Sequence, residues 1–217
     1  MAKKRSKKSR AVASKRGSVL RGVKEKPNLP AEVVSAQQAK QLLALHGKIR
    51  TQRPKDWKGK IPLPPALEKF YHEVGPFDIY VRSHGNSFFF PRLAELWNRQ
   101  RGYRLDGQTK EPLTDWNDDW IVVADQGGDA FIFDQSTGAV LHAFHDEWEW
   151  RPRKVFPDLN TLAACLAQLG VIVQDDNYMD DDCNLLPKSK ATALKRFQEL
   201  FGKRPGAKTA LRVLEWN

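Results

Sequence analysis

The chain has 217 residues, of which 41% are hydrophobic and 10% aromatic, and this is enough apolar material for one domain with a buried core. No segment approaches the ~20 consecutive apolar residues of a transmembrane helix, and the basic N-terminus lacks the apolar stretch of a secretory signal peptide. The two cysteines, Cys165 and Cys183, provide neither a disulfide framework nor a metal-ligand spacing. These features predict a protein of a reducing, cytoplasmic compartment with no membrane segment.

The net charge of +10 comes from one end of the chain. Residues 1–26 contain eleven Lys or Arg and one acid, Glu25, so that the residues after them hold 25 bases and 25 acids. Residues 1–27 are almost free of apolar side chains, and we predict a disordered basic tail. Such a tail either binds RNA, DNA or an acidic partner through its charge or is a solubilising arm without a specific target. Its candidate nucleic-acid contacts are Lys3, Lys4, Arg5, Lys7, Lys8 and Arg10.

The first predicted elements are a helix and a linker within residues 28–61. A weak apolar stripe predicts a helix from Pro30 to about Arg50, and the polar, proline-containing residues 51–62 indicate the linker. From Leu63 the pattern is sharper, because two prolines precede an amphipathic run and Gly75 follows it. Proline at the start and glycine just past the end are typical of a short helix.

Alternating and unbroken apolar runs predict the strands. Residues 77–82 alternate between apolar and polar side chains, which indicates a strand. The unbroken apolar run 120–124 is typical of a central strand covered on both faces. Two further β-rich segments, 130–133 and 139–144, flank a turn-forming cluster. We therefore expect an antiparallel meander over about residues 120–145.

Helices are predicted before and after this meander. Pro91 opens a short helix, and Asp158 is a good N-cap for a helix that Gly170 ends. Residues 171–217 then contain a short apolar segment, an acidic loop and a last helix capped by Ser189. Helices on either side of an antiparallel sheet predict the α+β fold class.

A paired glycine between two predicted strands invites a catalytic and a structural interpretation. The segment 127–131 is superficially similar to the GGDEF loop of cyclic-dinucleotide synthases, but Ala130 stands where that loop has its second acid. The structural interpretation is that the glycines turn the backbone while Asp125 and Asp129 hydrogen-bond the turn. We favour it, because one short motif is weak evidence for catalysis. The predicted structural motif consists of Trp120, Asp125, Gly127, Gly128, Asp129 and Gly138.

No metal-binding or catalytic motif is evident. The acidic run 175–182 offers the oxygen ligands that calcium prefers, but it lacks the alternating acids, central glycine and distal glutamate of an EF-hand loop. A solvated loop explains it better, with a docking surface for a basic partner as the alternative. The five histidines lack zinc-binding spacing, and His142 and His145 are expected on opposite faces of a strand. We expect no metal, no cofactor and no enzymatic activity.

The loop 145–151 combines two tryptophans with three acids beside strand-forming sequence. Large aromatic side chains among charges are typical of binding hot spots, although the alternative is that one or both tryptophans fold back into the core. This loop and the acidic loop are the predicted protein-binding surface. Its candidate residues are Asp146, Glu147, Trp148, Glu149, Trp150, Asp180, Asp181 and Asp182.

Three blocks, in this order, resemble the SUKH superfamily, which is named for the yeast Smi/Knr cell-wall regulators. Residues 63–71 with Gly75 resemble the opening helix of that family, residues 120–140 its central strands and residues 156–166 its closing helix. The resemblance covers roughly residues 62–170. It implies an α+β binding domain without catalytic activity. Bacterial members are regarded as immunity proteins that neutralise toxins, many of them nucleases, and fungal members as regulatory interaction hubs.

The resemblance divides the chain and leads to two functional hypotheses. A SUKH-like domain at 62–170 follows the basic tail at 1–27 and the helix and linker at 28–61, and the extension 171–217 comes after it. The first hypothesis is a cytoplasmic immunity protein whose acidic and aromatic surface covers the positively charged active face of a toxin. The second is a nucleic-acid-associated regulatory or scaffold protein that uses the basic tail. Neither the toxin nor the oligomeric state follows from the sequence.

Overall fold

The computed structural model describes residues 33–146, 150–175 and 177–217. In these residues the chain forms one antiparallel sheet of six strands together with six α-helices, which confirms the predicted α+β class. The predicted tail at 1–27 lies outside the described residues. The strands are β1 (Ile79–Val81), β2 (Phe88–Phe90), β3 (Trp120–Gln126), β4 (Asp129–Asp134), β5 (Val140–Ala143) and β6 (Arg153–Phe156). The helices are α1 (Ala36–Leu43), α2 (Pro65–Glu73), α3 (Leu93–Leu96), α4 (Leu159–Ile172), α5 (Pro187–Phe201) and α6 (Ala207–Val213).

The six strands pair in chain order, so that the sheet is a simple meander. The meander predicted for residues 120–145 is confirmed by the antiparallel pairing of β3 with β4 and of β4 with β5. In the turn after β4, Gly138 has a φ of 72°, and its N–H donates to the carbonyl oxygen of Asp134 over 2.8 Å. Two strands that the sequence did not predict, β2 and β6, extend the meander on either side.

The sheet is covered on both faces, as the unbroken apolar run of β3 predicted. Ile121 and Val123 belong to the large core that the helices share, whereas Val122 belongs to a smaller cluster. This smaller cluster also contains Ile132 of β4 and is covered by Trp116 from the segment before β3. Burial on both faces explains why β3 has little polar alternation.

The first helix is shorter than predicted. α1 begins after Ser35, whose side chain accepts a hydrogen bond from the backbone N–H of Gln38 over 3.1 Å. The predicted end at Arg50 is wrong, because the chain leaves the helix earlier and Ile49 forms an isolated β-bridge with Pro76. The weak apolar stripe had extended the prediction into this bridging segment.

The helix predicted from Leu63 onward is confirmed as α2, with proline in its first turn. Gly75 lies just past its end with a φ of 68°, and a Cβ atom there would clash with the carbonyl oxygen of Arg50. The strand predicted at 77–82 is shorter in the structure, because Asp78 has a φ of 54° and interrupts the extended backbone before Ile79.

The helix predicted to start at Asp158 is confirmed as α4, but its boundaries differ. The Asp158 side chain accepts a hydrogen bond from the backbone N–H of Thr161 over 2.7 Å. Phe156 ends β6 instead of belonging to the helical block. The prediction that Gly170 ends the helix is wrong. A Cβ atom at Gly170 would lie 2.5 Å from Cγ1 of Val81, so this glycine allows α4 to pack closely against β1.

The C-terminal residues form two helices instead of one. The predicted N-cap Ser189 is wrong, because α5 starts at Pro187 and Ser189 is buried in its first turn. Gly202 follows α5 with a φ of 59°, and α6, which the sequence did not predict, comes after it. Phe197 and Trp216 pack in the same large core as the helices before them. No helix within the described ranges is long and apolar enough to cross a membrane.

Candidate functional site

A cleft of about 310 Å³ lies where β3 turns into β4, and we call it the β3–β4 cleft. Four parts of the chain line it: the β1–β2 loop, the ends of β3 and β4 at their turn, the segment from β5 onward and the residues that end α6. Six of the lining residues are titratable, and of these six the sequence had assigned only Asp129 and Asp146 to a site. Its titratable residues are His84, Asp129, His142, His145, Asp146 and Glu215.

The paired glycines shape the turn at this cleft. Gly127 and Gly128 have φ values of 63° and 109°, which a residue with a Cβ atom rarely adopts. A Cβ atom on Gly128 would lie 3.2 Å from Cγ of His145. The Tyr103 hydroxyl donates to the Gly128 carbonyl oxygen over 2.8 Å and holds the turn from the other side. The turn therefore has little freedom to move away from the cleft.

Asp129 and His145 form the best-defined polar contact of the cleft. The Asp129 Oδ1 atom accepts a hydrogen bond from the His145 backbone N–H over 3.0 Å and lies 2.7 Å from the His145 Nδ1 atom. This differs from the prediction that Asp129 hydrogen-bonds its own turn. The hydrogen bond to Asp129 raises the pKa of the His145 imidazole, and the charges of Asp129 and Asp146 add to the effect. Asp129 thereby anchors the start of the 145–151 loop.

His142 lies deeper in the cleft and has a contrasting environment. Its ring is 3% exposed and lies edge-on between Phe131 and Phe144, at centroid distances of 4.9 and 4.8 Å. Its Nδ1 atom has no hydrogen-bond partner among the described residues. Burial lowers the pKa of His142 to about 4, against the opposing charge of Asp129. His142 is therefore neutral at pH 7.

The expectation that His142 and His145 lie on opposite faces is wrong. β5 ends at Ala143, so the chain no longer alternates between faces when it reaches His145. The bond to Asp129 turns the His145 imidazole toward the turn, and both histidines line the same cleft. The strict alternation of a strand applies only while the strand continues.

His84 and Glu215 complete the cleft from distant parts of the chain. The His84 ring packs edge-on against the Trp216 ring at 5.4 Å, and burial lowers the pKa of His84 while the Glu215 charge opposes that shift. The cleft thus holds three carboxylates, on Asp129, Asp146 and Glu215, and its described lining contains no Lys or Arg. Its charge is negative when the histidines are neutral.

The chemistry open to the β3–β4 cleft is limited. Its described lining contains no serine, threonine, cysteine or lysine to act as a nucleophile. No group of three or more His, Cys, Asp or Glu side chains in the described ranges is arranged to hold a metal ion. What the cleft can do is receive a cationic group between its carboxylates and hold a proton on His145.

The predicted binding loop is described only at its two ends. Asp146 is exposed at the β3–β4 cleft, whereas Glu147, Trp148 and Glu149 lie outside the described residues. Trp150 is half-buried in the smaller core cluster, and its ring lies 5.4 Å from the Tyr103 ring and 5.6 Å from the Trp116 ring. Trp150 therefore folds back against the sheet, the alternative that the sequence had left open.

The predicted acidic loop does not line this cleft. The Asp180 carboxylate accepts hydrogen bonds from the backbone N–H groups of Asp182 and Asn184 at 3.1 and 2.7 Å, which together lower its pKa. Asp181 and Asp182 are exposed. Asp180 thus stabilises its own loop, and only the latter two remain available to a partner.

Asp125 and Trp120 of the predicted structural motif both belong to β3, and Trp120 packs against the smaller core cluster. Asp125 is half-buried, and burial raises the pKa of its carboxyl while the Arg99 charge opposes the shift. No hydrogen bond to this carboxylate is found within the described ranges, so the predicted bond to the turn is absent there. Trp120 is half-buried, and its carbonyl oxygen accepts from the Trp116 indole N–H over 3.0 Å.

Sequence reasoning missed His84, Glu215 and Tyr103 at this site. None stands in a motif, and each reaches the cleft or its turn only through packing of a distant segment. An exposed aromatic residue, Tyr80, was also missed, and its ring stacks on Phe89 at 4.5 Å. Comparison with known proteins finds no match, whether among family models, curated proteins or solved structures. The resemblance to SUKH domains stays a prediction.

Proposed function

We propose that this protein is a non-catalytic protein-binding module, an immunity protein of the SUKH type that acts in the cytoplasm and neutralises a toxin by covering its active face. One observation carries the proposal. Three carboxylates, on Asp129, Asp146 and Glu215, line one cleft whose described lining has no Lys or Arg. A Lys or Arg side chain of a partner that enters the cleft would find carboxylate acceptors from three parts of the chain.

The charge of the cleft fits the expected partner class. A toxin that acts on nucleic acid needs a positively charged face, because it must approach phosphate groups. An acidic surface opposite such a face speeds association and fixes orientation. A specific interface of standard size buries about 1,600 Å² in total, so a cleft of 310 Å³ supplies an anchor point and the surface around it supplies the remainder.

The rigidity of Asp129 supports the proposal that the β3–β4 cleft is the anchor point for a partner. The Asp129 carboxylate is held by the two hydrogen bonds from His145, and the turn beneath it is held by the Tyr103 hydroxyl. Preorganised acceptors lose little conformational entropy when a cation binds. Trp148 lies outside the described residues and remains a proposed aromatic contact to the partner.

The test is binding and protection in the presence of a toxin domain encoded by the neighbouring reading frame. The cleft variant carries Asp146→Lys and Glu215→Lys, which reverse two charges of the cleft and leave the Asp129 anchor in place. Calorimetric affinity should fall on the order of 100-fold, and protection of growth in co-expression should be lost.

Two matched variants separate the cleft from net charge. Glu111→Lys with Asp115→Lys reverses two exposed acids outside the cleft and should change affinity less than threefold, roughly the effect of distant surface charge. Asp181→Lys with Asp182→Lys tests the predicted acidic loop in the same way. Equal losses in all three variants would show that only net charge matters, and the absence of any complex would reject the immunity proposal.

A further inference from the structure

A second groove, of about 400 Å³, lies between α5 and α6, and we call it the α5–α6 groove. Its floor is apolar and includes Leu194 and Leu211. Its rim carries three cationic side chains, on Lys190, Lys208 and Arg212. No carboxylate side chain is found in its described lining. The groove is therefore apolar at the base and positive at the edge.

The three cations of the rim lack partners within the described residues. None of them donates a hydrogen bond or forms an ion pair there, unlike two arginines nearby. Arg196 donates to the Gln168 Oε1 atom over 2.7 Å, and Arg204 pairs with Asp158 over 3.0 Å. Among the described residues, the two neighbouring arginines therefore have partners, whereas the three groove cations have none and can bind an anion.

The spacing of two of these cations is unfavourable for the helix itself. Lys208 and Arg212 are four residues apart on α6, and both are exposed. Like charges at this spacing destabilise a helix, because the side chains lie side by side on one face. An anion in the α5–α6 groove would remove this repulsion.

The positive surface extends beyond the groove. Residues 187–217 contain eight Lys or Arg and two Glu. Lys188 and Lys195 are exposed on α5 but do not line the groove, because both lie about 140–160° around the helix from Lys190. They add to the positive charge of the C-terminal helices, which attracts a polyanion to this part of the molecule.

We propose that the α5–α6 groove binds single-stranded nucleic acid, with phosphate groups on Lys190, Lys208 and Arg212 and a sugar or base against the apolar floor. Proteins that bind single strands without sequence preference combine a positive groove that follows the backbone with side chains against which the bases pack, usually aromatic ones. Here Lys190, Lys208 and Arg212 supply the positive groove, and the aliphatic side chains of Leu194 and Leu211 supply the packing surface. A single strand presents phosphates to the three cations and, unlike a duplex, has unpaired bases to place against the apolar side chains between α5 and α6. This binding goes beyond the proposed protein-binding function and does not depend on it.

The test is a titration of a fluorescently labelled oligothymidylate of about 15 nucleotides with the full-length chain, in which fluorescence anisotropy gives the affinity at each of several salt concentrations. The groove variant carries Lys190→Gln, Lys208→Gln and Arg212→Gln. Each phosphate contact on a single strand contributes about 0.7 to the slope of log affinity against log salt. The magnitude of the slope should therefore be smaller by about 2 in the groove variant than in the wild type, and the groove variant should bind more than tenfold more weakly at low salt.

The matched control carries Lys40→Gln, Lys55→Gln and Lys60→Gln, which remove the same charge outside the groove and leave residues 1–32 intact. Its slope should change by less than about 0.5. Equal weakening of both triple variants would assign the binding to net charge or to the N-terminal residues and overturn the proposal. If the groove variant unfolds, the double variant Lys208→Gln with Arg212→Gln, at two exposed positions, should still lose about 1.4 from the slope.

An acidic peptide and a duplex are the competing occupants. A labelled oligoglutamate that binds the full-length chain and loses binding in the groove variant, while the oligothymidylate does not, would overturn the proposal in favour of a peptide. Tighter binding of a DNA duplex than of the single strand, lost in the groove variant, would overturn the assignment to a single strand.

Discussion

The β3–β4 cleft and the α5–α6 groove are both lined by residues from the last part of the chain, in α6 or just after it, and they have opposite charge. Residues 213–215 at the end of α6 line the cleft, whereas Leu211 and Arg212 line the groove. The cleft collects three carboxylates and the groove three cations. The residues after 26 contain 25 bases and 25 acids, so their net charge of zero conceals two surfaces of opposite sign.

The two surfaces also respond to different variables. The β3–β4 cleft contains buried and paired histidines whose pKa values are displaced in opposite directions, so its charge depends on pH. Lys208 and Arg212 of the α5–α6 groove are exposed and Lys190 is half-buried, so the interactions of these charges depend mainly on salt. Lowering the pH should therefore change the charge of the β3–β4 cleft before that of the α5–α6 groove. Raising the salt concentration should weaken anion binding at the groove more than it changes the cleft.

The largest expected effect on stability comes from His142. Its folded pKa of about 4 lies below the ordinary value of 6.5, so the unfolded chain takes up a proton before the folded chain as the pH falls. Stability is then full above pH 6.5 and is lost toward pH 4. At pH 4.5 the loss should be about 2.5 kcal/mol relative to pH 7.

The variant His142→Phe isolates this contribution. Phenylalanine keeps an aromatic ring between the two aromatic neighbours and cannot be protonated, so urea unfolding at pH 7 and pH 4.5 should show a much smaller acid loss than in the wild type. The same acid loss in both proteins would show that His142 is not the residue responsible.

A second change alters the shape of the β3–β4 cleft without altering its charge. Gly128→Ala places a Cβ atom 3.2 Å from His145 on a backbone with a φ of 109°. The free energy of unfolding should fall by about 1–3 kcal/mol. Gly107→Ala is the matched control, because nothing lies within 4 Å of a Cβ atom there, and its change should stay within about 0.5 kcal/mol. Equal effects would mean that the turn is not strained.

The pairing of Asp129 with His145 predicts a smaller effect, which NMR titration can detect. Asp129→Asn removes the charge and weakens the hydrogen bond, so the pKa of His145 should fall. Because the folded pKa is raised, the pair stabilises the fold at low pH and this stabilisation is lost as the pH rises through that pKa. Asp119→Asn, an exposed acid outside the cleft, should leave the His145 titration unchanged. An unaltered midpoint in Asp129→Asn would contradict the pairing.

The smallest expected effect is a gain in stability. Burial raises the pKa of Asp125, so its ionised form is costlier in the folded chain than in the unfolded chain. Its contribution to stability therefore falls as the pH rises from the unfolded pKa through the folded one. Asp125→Asn should raise the Tm slightly at pH 7 and not at about pH 3, where the carboxyl is protonated in both states. A lower Tm at pH 7 would show that the charge of Arg99 outweighs the burial.

Much of the secondary structure follows from signals within a few residues. The prolines that open α2, the glycine after it and the capping aspartate of α4 act on their own backbone neighbours, and the sequence is enough to place them. The β3–β5 meander is equally local, because short turns join strands of clear apolar pattern. These elements needed no knowledge of distant contacts.

The missed elements depend on what packs against them. β2 and β6 have three and four residues, too few for a periodic pattern, and they exist because β3 and β5 offer free edges. Gly170 is typical of a helix end in the sequence, but the tertiary structure uses it for the approach of α4 to Val81.

The functional surfaces also combine features that the local sequence predicts with features that depend on tertiary packing. Composition alone determined that the residues after 26 carry no net charge, and the turn residues Asp129 and Asp146 were recognisable locally. Only tertiary packing joined them to His84 and Glu215, and only the pairing of α5 with α6 brought Lys190 beside Arg212. Net charge is a property of the sequence, but the electrostatic potential at a binding surface depends on the distances between charges. Those distances are determined by how distant segments of the chain pack together.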